Sequence, residues 1–238
     1  MIKPTIIYQD DFLAVIDKPS GLVVNRSETA PVYTLQDFID QNITLKVDSG
    51  FEEIADDYLG RSGLVHRIDK DTSGLLLVAK DTTTFLKLLA MFKKKTINKE
   101  YLVLVHGVIK EANFVINAPI GRNPVDRQKF GIVEGGRDSK TKFEKIKSLV
   151  IGEDEFTYLK AYPVTGRTHQ IRVHLSALGH PVVGDVTYCS RKKLRATDKL
   201  FNRMMLHAHK ISFIHPITQR AENFISPVPT EFLLEKYL

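Results

Sequence analysis

Short apolar runs recur along this chain, and most of them are too short to form helices. The run "GLLLVAK" (74–80) is apolar nearly throughout and is bounded by Gly74 and Asp81, which is typical of a buried strand. Because such runs follow one another with few helices between them, they predict an α+β fold with a mixed, largely antiparallel sheet. The other predicted strands are 5–8, 12–17, 99–107, 113–117, 140–147, 155–162, 207–215 and 222–227.

Helical periodicity is confined to a few segments. We predict helices at 33–41, at 82–95, at 165–178 and at 230–238. Asp81 is the expected N-cap of the second helix, and Thr230 that of the last. The Gly-rich, basic stretch 120–141 is predicted as an irregular connection between strands.

The third predicted helix lies within "TGRTHQIRVHLSALGHP" (165–181). Thr165 is the expected N-cap, and Gly179 is the expected terminator. Successive residues turn by about 100° around a helix, so residues three or four apart share a face. One face is apolar, and a second, polar face carries His169, Arg172 and Ser176.

Length and cysteine content limit the class of protein. The 238 residues allow one domain with a sizeable core, and we take 1–238 as a single domain. Cys189 is the only cysteine, so no intrachain disulfide can form, which fits a reducing, cytoplasmic location. No apolar run approaches the roughly 20 residues of a membrane-spanning helix. We expect no membrane partner, and we expect a monomer.

The charge is unevenly distributed. Net charge is +6, but residues 1–62 carry 5 Lys and Arg against 11 Asp and Glu, whereas 63–238 carry 29 against 17. The segment 191–203 alone has six basic residues and one acidic residue. Such asymmetry indicates a polyanionic partner, most often a nucleic acid, although a solvated basic face would have the same composition.

Motifs for cofactors and for common nucleophiles are missing from the sequence. The eight histidines and one cysteine do not have zinc-like spacing, and neither a G-x-G-x-x-G nor a G-x-x-x-x-G-K-[ST] motif occurs. There is also no G-x-S-x-G motif. We therefore expect neither a metal nor an organic cofactor.

The stretch "HRIDKDTSG" (66–74) places charged residues directly before a buried strand. Charged groups are costly to desolvate unless they are paired or used. The neighbouring Arg67 and Lys70 favour an ionised carboxylate, which suits a nucleophile or base better than a proton donor. Two interpretations stay open from these residues alone: Asp69 is an active-site carboxylate, or Asp69 and Asp71 are turn residues that pair with Arg67 and Lys70.

Five stretches, in order along the chain, resemble the motifs of the RluA-type RNA pseudouridine synthases. "HRIDKDTSGLLLVAK" (66–80) is similar to their catalytic signature, and "KEYLVLVHG" (99–107) resembles their K-x-Y motif. The remaining three are "IIYQDDFLAVIDKPSGLVVN" (6–25), "TGRTHQIRVHLSALGHPVVGD" (165–185) and "HAHKISFIHPIT" (207–218). The resemblance implies a pseudouridine synthase fold, with helices flanking the central sheet and an active-site cleft.

The resemblance also implies roles for particular residues. Asp69 stands at the family's essential aspartate, Tyr101 at the tyrosine that lies against the target base, and Arg172 at the arginine that pairs with the aspartate. Arg67 stands at the arginine implied to help extrude the target nucleotide. Further RNA contacts are implied for Lys99, Arg167 and His169.

Three features differ from the family pattern. Ile68 replaces the usual leucine of the catalytic signature, which is a minor change of apolar shape. Gln219 stands where a glycine often occurs after "HP-x-T", which we expect to alter that turn. Many relatives carry an N-terminal S4-type RNA-binding domain, and the matching motifs here begin so near residue 1 that we expect none.

The implied activity is isomerisation of specific uridines in tRNA, in 23S-type large-subunit rRNA, or in both, to pseudouridine. Asp69 acts at C1′ of a flipped-out uridine, either as nucleophile or by removing a ribose proton, and no cofactor, metal or water is consumed. One alternative is a catalytically inactive RNA-binding or ribosome-assembly protein on the same fold. The other is a carboxylate-based glycosidase, which would release free uracil or sugar.

Overall fold

The computed structural model describes residues 3–27, 32–127, 129–192, 194 and 200–234. The fold class is α+β with a mostly antiparallel arrangement of strands, as the sequence predicts. The chain divides into two compact units, which we call the first unit (Met1–Asn98 with Lys210–Ser226) and the second unit (Lys99–His209 with Pro227–Leu238). The single domain expected from sequence stays a prediction.

Strands and helices fall close to the predicted positions, with the exceptions given below. The strands are β1 Thr5–Gln9, β2 Leu13–Lys18, β3 Ser73–Ala79, β4 Asn98–His106, β5 Asn113–Asn117, β6 Ile120–Arg122, β7 Phe130–Ile132, β8 Lys140–Ile151, β9 Asp154–Pro163, β10 Leu206–Ile214 and β11 Ala221–Ile225. The α-helices are α1 Leu35–Asn42, α2 Ala55–Gly60, α3 Thr82–Lys94 and α4 Gln170–Ala177, and short 3-10 helices span Glu52–Ile54 and Thr230–Phe232.

The first unit is built around β3, all seven residues of which are buried. β2 pairs antiparallel with β1 on one side and with β3 on the other, and the end of β10 pairs antiparallel with β11. The core includes Leu75 and Leu77 of β3 with Phe85 and Leu88 of α3. The apolar run 74–80 is therefore a core strand, and it fixes the position of the charged segment that precedes it.

The predicted cap of α3 is confirmed. Asp81 lies in an extended conformation, and its carboxylate accepts a hydrogen bond from the amide of Thr84 at 2.6 Å. The helix ends in the basic residues Lys93 and Lys94, where cations interact favourably with the helix dipole. Lys95 then adopts a left-handed conformation with a φ of 59° and stops the helix.

The second unit contains a four-stranded antiparallel region in the order β4, β9, β8, β5. Two apolar clusters pack against it. One contains Val103 and Val105 of β4 with Ile171 and Leu175 of α4, and the other contains Leu102 and Leu104 from the opposite face of β4. The alternation along β4 is the period-2 pattern of a strand that is buried on both faces.

The connection predicted at 120–141 contains an antiparallel hairpin, β6–β7, that the sequence does not predict. Gly121 pairs with Gly131 at its centre. Glycine has low strand propensity, and each strand has only three residues, so the apolar alternation that predicts a strand is absent. Main-chain pairing of Ile120 with Arg137 closes the base of the hairpin, and the two N–H···O distances are 3.0 and 2.8 Å.

Two predicted helix N-caps, Thr165 and Thr230, are wrong. α4 begins at Gln170 and not at Thr165, because His169 has a φ of 56° and cannot be part of a right-handed helix. The hydroxyl of Thr165 donates instead to the side chain of Gln170 at 2.6 Å. At the C-terminus, Thr230 opens a 3-10 helix of three residues without a side-chain cap, and residues 235–238 of the predicted helix lie outside the described part.

Gly179 terminates α4 as predicted, with a φ of 87°. The amide of the following His180 donates to the Leu175 carbonyl at 2.9 Å, so the freed end of the helix is satisfied by the chain itself. Among the described residues, no helix has the length and apolar character needed to cross a membrane.

Candidate active site

Asp69 lies in the first unit, in the irregular segment that leads into β3. It is half-buried and follows the buried Ile68. The amide of Thr72 donates to the Asp69 carbonyl at 3.2 Å, which closes a four-residue turn, and β3 begins at the next residue. Asp69 is therefore attached to a fully buried strand through a short turn, so its backbone has little freedom to move.

A buried lysine holds the backbone of the same turn in place. Lys18, at the end of β2, is fully buried, and its ammonium donates to the carbonyls of Pro19, Leu22 and Lys70 at 2.8 to 2.9 Å. The three N–H groups of the ammonium are thus matched by three carbonyl acceptors, which offsets the cost of removing the charge from water. The Lys70 carbonyl belongs to the residue after Asp69, so Lys18 positions the backbone next to that carboxylate.

Further hydrogen bonds link this turn to its neighbours. The hydroxyl of Ser20 donates to the Asp71 carbonyl at 2.7 Å, and the amide of Gly21 donates to the Lys70 carbonyl at 2.9 Å. On the other side of Asp69, the amide of Leu77 donates to Nε2 of His66 at 2.9 Å. The "KPSGL" turn and the "HRIDKDTSG" segment, which are distant in sequence, are thus one hydrogen-bonded unit.

Arg67 differs from its neighbours because its side chain is exposed. It lies two residues before Asp69, in the same irregular segment. An exposed guanidinium two residues from a half-buried carboxylate is accessible to an anionic ligand. Asp69 and Arg67 are the two predicted site residues in the first unit.

Arg172 lies in the second unit, on α4, and is 6% exposed. It makes a two-pronged ion pair with Asp185, from Nε to Oδ2 at 2.7 Å and from Nη2 to Oδ1 at 2.9 Å. Paired hydrogen bonds of this kind fix the plane of a guanidinium as well as its position. Both side chains are almost completely buried, so removing either partner would leave an uncompensated charge in the interior.

Asp185 is a site residue that sequence reasoning missed. It also accepts hydrogen bonds from the amides of Thr187 and Tyr188 at 2.9 and 3.2 Å, so it organises the turn that follows it. The only available signal was its place at the end of the motif 165–185. The predicted pairing of Arg172 with Asp69 stays a prediction.

Lys99 and Tyr101 lie two residues apart on β4 in the second unit, so their side chains leave the strand on the same face. Tyr101 is half-buried and packs against the cluster that contains Val103 and Ile171. Burial lowers the pKa of Lys99 to about 8. This ammonium therefore loses its charge at a much lower pH than a solvated lysine.

Arg167 and Gln170 shape the turn before α4. The Arg167 amide donates to Oε1 of Gln170 at 3.0 Å, and its Nε donates to the Asp138 carbonyl at 3.0 Å. The amide nitrogen of the Gln170 side chain donates to the Lys140 carbonyl at 3.0 Å. The "TGRTH" segment is thus joined to the start of β8, and α4 begins at Gln170 without the side-chain cap predicted from Thr165.

Arg172 and Ser176 share one face of α4, whereas His169 precedes the helix and is not part of that face as predicted; all three contact Tyr188. Nδ1 of His169 is 2.9 Å from the Tyr188 hydroxyl, and the Arg172 guanidinium lies 5.1 Å from the centre of the Tyr188 ring. The hydroxyl of Ser176 is 3.4 Å from the Tyr188 carbonyl. Among the predicted residues, the structure brings His169 and Arg172 together through Tyr188, which the sequence did not single out.

In the described part of the chain, no group of three or more His, Cys, Asp and Glu residues is arranged so that it could hold a metal ion. His207 and His209 do face the same side of β10, with ring centres 5.8 Å apart.

Comparisons with known proteins agree on one class of enzyme. A family model described as RNA pseudouridylate synthase matches residues 12–177. A ribosomal large subunit pseudouridine synthase D of Pseudomonas aeruginosa is 35% identical over 98% of this chain and 70% of its own length. An uncharacterized RNA pseudouridine synthase of Synechocystis is 36% identical over 95% of this chain and 66% of its own length.

A solved structure gives the same result for the fold. Human RNA Pseudouridylate Synthase Domain Containing 1 superposes with a TM-score of 0.73 at 28% identity, covering 95% of this chain and 84% of that one. The chain spans about two thirds of the length of the first curated relatives that it matches, at 66% for both.

Proposed function

Because the chain belongs to the RNA pseudouridylate synthase family, we propose that it isomerises specific uridines in RNA to pseudouridine. The observation that carries the proposal is the family match over residues 12–177, which includes Asp69, Tyr101 and Arg172. The ordered anchoring of the Asp69 turn by Lys18 supports it further, since a reacting carboxylate benefits from a fixed position.

The reaction exchanges one bond to the ribose for another. The N1–C1′ bond of uridine breaks, the uracil rotates, and C5 bonds to C1′ while the proton on C5 is lost and N1 gains one. Atoms and electrons balance without a co-reactant. In this proposal Asp69 acts at C1′, as nucleophile or as the base that removes a ribose proton.

Access to the uridine requires that it leave the helical stack, at a cost of a few kcal/mol. We assign Arg67 to the gap left behind, because its side chain is exposed and next to Asp69. Tyr101 is assigned to stack on the extruded uracil, a contact worth about 1–3 kcal/mol for an aromatic side chain and a base. Lys99, Arg167 and His169 are assigned to contacts with the RNA.

The proposed RNA is large-subunit ribosomal RNA. Relatives named ribosomal large subunit pseudouridine synthase are 34–36% identical to the chain, including one D-type enzyme of Pseudomonas aeruginosa and one C-type enzyme of Vibrio vulnificus. The basic composition of residues 63–238 suits a polyanionic substrate of this kind. Transfer RNA is the other substrate class that the sequence motifs allow.

The test is pseudouridine-specific chemical mapping of total RNA from cells that lack the gene, with and without rescue. Wild type and Asp71→Asn should restore a large-subunit rRNA site that Asp69→Asn does not restore. Asp71→Asn is the matched control, since it makes the same charge change two residues away. Restoration of a tRNA site instead would replace the proposed substrate, and restoration by Asp69→Asn would favour an inactive RNA-binding role.

A further inference from the structure

The hydroxyl of Tyr188 joins two elements of the second unit. It lies 2.9 Å from Nδ1 of His169 at the start of α4, and it accepts a hydrogen bond from the amide of Phe130 at 3.1 Å. A phenol can accept one hydrogen bond while donating another. Phe130 opens strand β7, so a single hydroxyl connects the β6–β7 hairpin to the N-terminus of α4.

The ring of Tyr188 has a different contact. The guanidinium of Arg172 lies 5.1 Å from its centre, within the range of a cation–π interaction. The carboxylate of Asp185 holds the same guanidinium, and the amide of Tyr188 donates to that carboxylate at 3.2 Å. Arg172 is therefore held on one side by an aromatic face and on another by a carboxylate.

His169 occupies a conformation that its surroundings must maintain. Its φ of 56° lies in the left-handed region, which is unfavourable for a non-glycine residue. The ring packs edge-on against Phe130 and against Tyr188, with centres 5.8 and 5.6 Å apart. The contact with Phe130 joins His169 to the hairpin, and this contact is lost if the hairpin leaves α4.

The hairpin presents cations to solvent. Arg122 and Arg127 are exposed, and the Arg122 guanidinium lies over the Phe130 ring at 4.5 Å. The Arg122 guanidinium also donates a hydrogen bond to the Arg127 carbonyl at 3.0 Å. The side-chain oxygen of Asn123 accepts one from the Val125 amide at 2.9 Å, so residues 122–127 have a defined conformation. Exposed arginines on an ordered arm are suited to phosphate contacts.

We propose that Tyr188 is a positioning residue that couples the cationic β6–β7 hairpin to Arg172. Its hydroxyl holds the hairpin against α4, and its ring supports the Arg172 guanidinium. An RNA held by the hairpin is thereby kept in register with the helix that carries Arg172. This inference rests on the proposed RNA isomerisation for its functional part, but not for the hairpin attachment itself.

The attachment is tested in the free protein by NMR hydrogen exchange of the Phe130 amide. Tyr188→Phe removes only the hydroxyl, and exchange at Phe130 should become about five- to tenfold faster, as expected for loss of one hydrogen bond. Tyr8→Phe is the matched control, because it removes a hydroxyl that bonds Asp10 in the first unit. Unchanged exchange in Tyr188→Phe would overturn the proposed attachment.

The functional part is tested by steady-state kinetics on the RNA substrate. Tyr188→Phe should raise KM about three- to tenfold with kcat within about twofold, because the ring under Arg172 is kept. Tyr188→Leu removes that ring and should lower kcat as well. His169→Asn, which tolerates the left-handed conformation, should raise KM in the same way as Tyr188→Phe.

The outcomes separate the two proposals. An unchanged KM in Tyr188→Phe, or a loss of kcat alone, would overturn the coupling. If Phe130 exchange is faster in Tyr188→Phe but the wild-type protein turns over no RNA, the attachment of the hairpin to α4 is supported and the proposed function is overturned. A purely structural role would lower the thermal midpoint of Tyr188→Phe without the change in KM, and this too would overturn the inference.

Discussion

Lys18 is the buried residue on which the geometry of the Asp69 turn most depends. Methionine at this position keeps the length of the side chain but removes the ammonium donor from three carbonyls, of which the Lys70 carbonyl keeps its hydrogen bond from the Gly21 amide. We expect Lys18→Met to lower the free energy of unfolding by about 2–4 kcal/mol. Urea denaturation measures this directly. The exposed Lys3→Met should change it by less than about 0.5 kcal/mol, and equal stability of the two variants would contradict the role given to Lys18.

The lowered pKa of Lys99 predicts that its contribution to RNA affinity depends on pH. Burial lowers its pKa to about 8, so its positive charge is present below that pH and is lost above it. If Lys99 contacts RNA phosphates, the ratio of the wild-type affinity to that of Lys99→Met should be several-fold at pH 6.5. The ratio should fall towards one at pH 9, as measured by fluorescence anisotropy.

The control for Lys99 is Lys99→Arg, because arginine stays charged throughout this range. Its affinity should not show the loss between pH 6.5 and pH 9. A wild-type to Lys99→Met ratio that is constant with pH would mean that the charge of Lys99 does not contribute to RNA binding.

At the level of single residues, sequence identified those that stand in recognisable motifs but not those that act through tertiary contacts. Asp69, Tyr101 and Arg172 could be named from their motifs, whereas Asp185 and Tyr188 are defined by contacts with α4 and the hairpin. Gln219 stands where relatives often have glycine, and it has a φ of 60°. The turn keeps its left-handed residue, and the Gln219 side chain donates to the Pro216 carbonyl at 3.1 Å.

At the level of elements, strands and helices with a strong apolar period were predicted, and those set by local polar contacts were not. β3 and α3 follow from an apolar run and from an i, i+3, i+4, i+7 pattern. The β6–β7 hairpin has glycine at its centre, and the start of α4 is decided by His169 and the side chain of Gln170. Neither pattern of polar contacts has a periodic signal in the sequence.

The hairpin also depends on a glycine that packs closely. A Cβ added to Gly136 would lie 2.8 Å from the Ile120 carbonyl carbon and 2.9 Å from the Val133 carbonyl oxygen. We expect Gly136→Ala to open the base of the hairpin at a cost of about 1–3 kcal/mol. Exchange of the Arg137 amide, which donates to the Ile120 carbonyl at 2.8 Å, is the direct measurement.

Gly131 in the same hairpin provides the control for Gly136. A Cβ there would find its nearest neighbour at 3.7 Å, the side-chain nitrogen of Asn123. Gly131→Ala should therefore leave Arg137 exchange within about twofold of wild type. Faster exchange in both variants, or in neither, would show that close packing at Gly136 does not hold the hairpin.

At the level of the whole molecule, composition predicted the class of partner and the motifs predicted the family. The basic excess in residues 63–238 indicated a polyanion, and the family match and the relatives agree with RNA. Composition could not indicate how the chain divides into two compact units, because that division is set by long-range contacts. It also carries no information on which uridine is modified.

The central claim is that Asp69 drives isomerisation of uridine, and tritium release from RNA labelled at C5 of uridine tests it most directly. Forming the C5–C1′ bond displaces the hydrogen on C5, so the purified wild-type protein and Asp71→Asn should release tritium into water, with the RNA intact and no free uracil. Asp69→Asn should bind the RNA but release none. Release by Asp69→Asn at the wild-type rate, or free uracil from the wild type, would contradict the account.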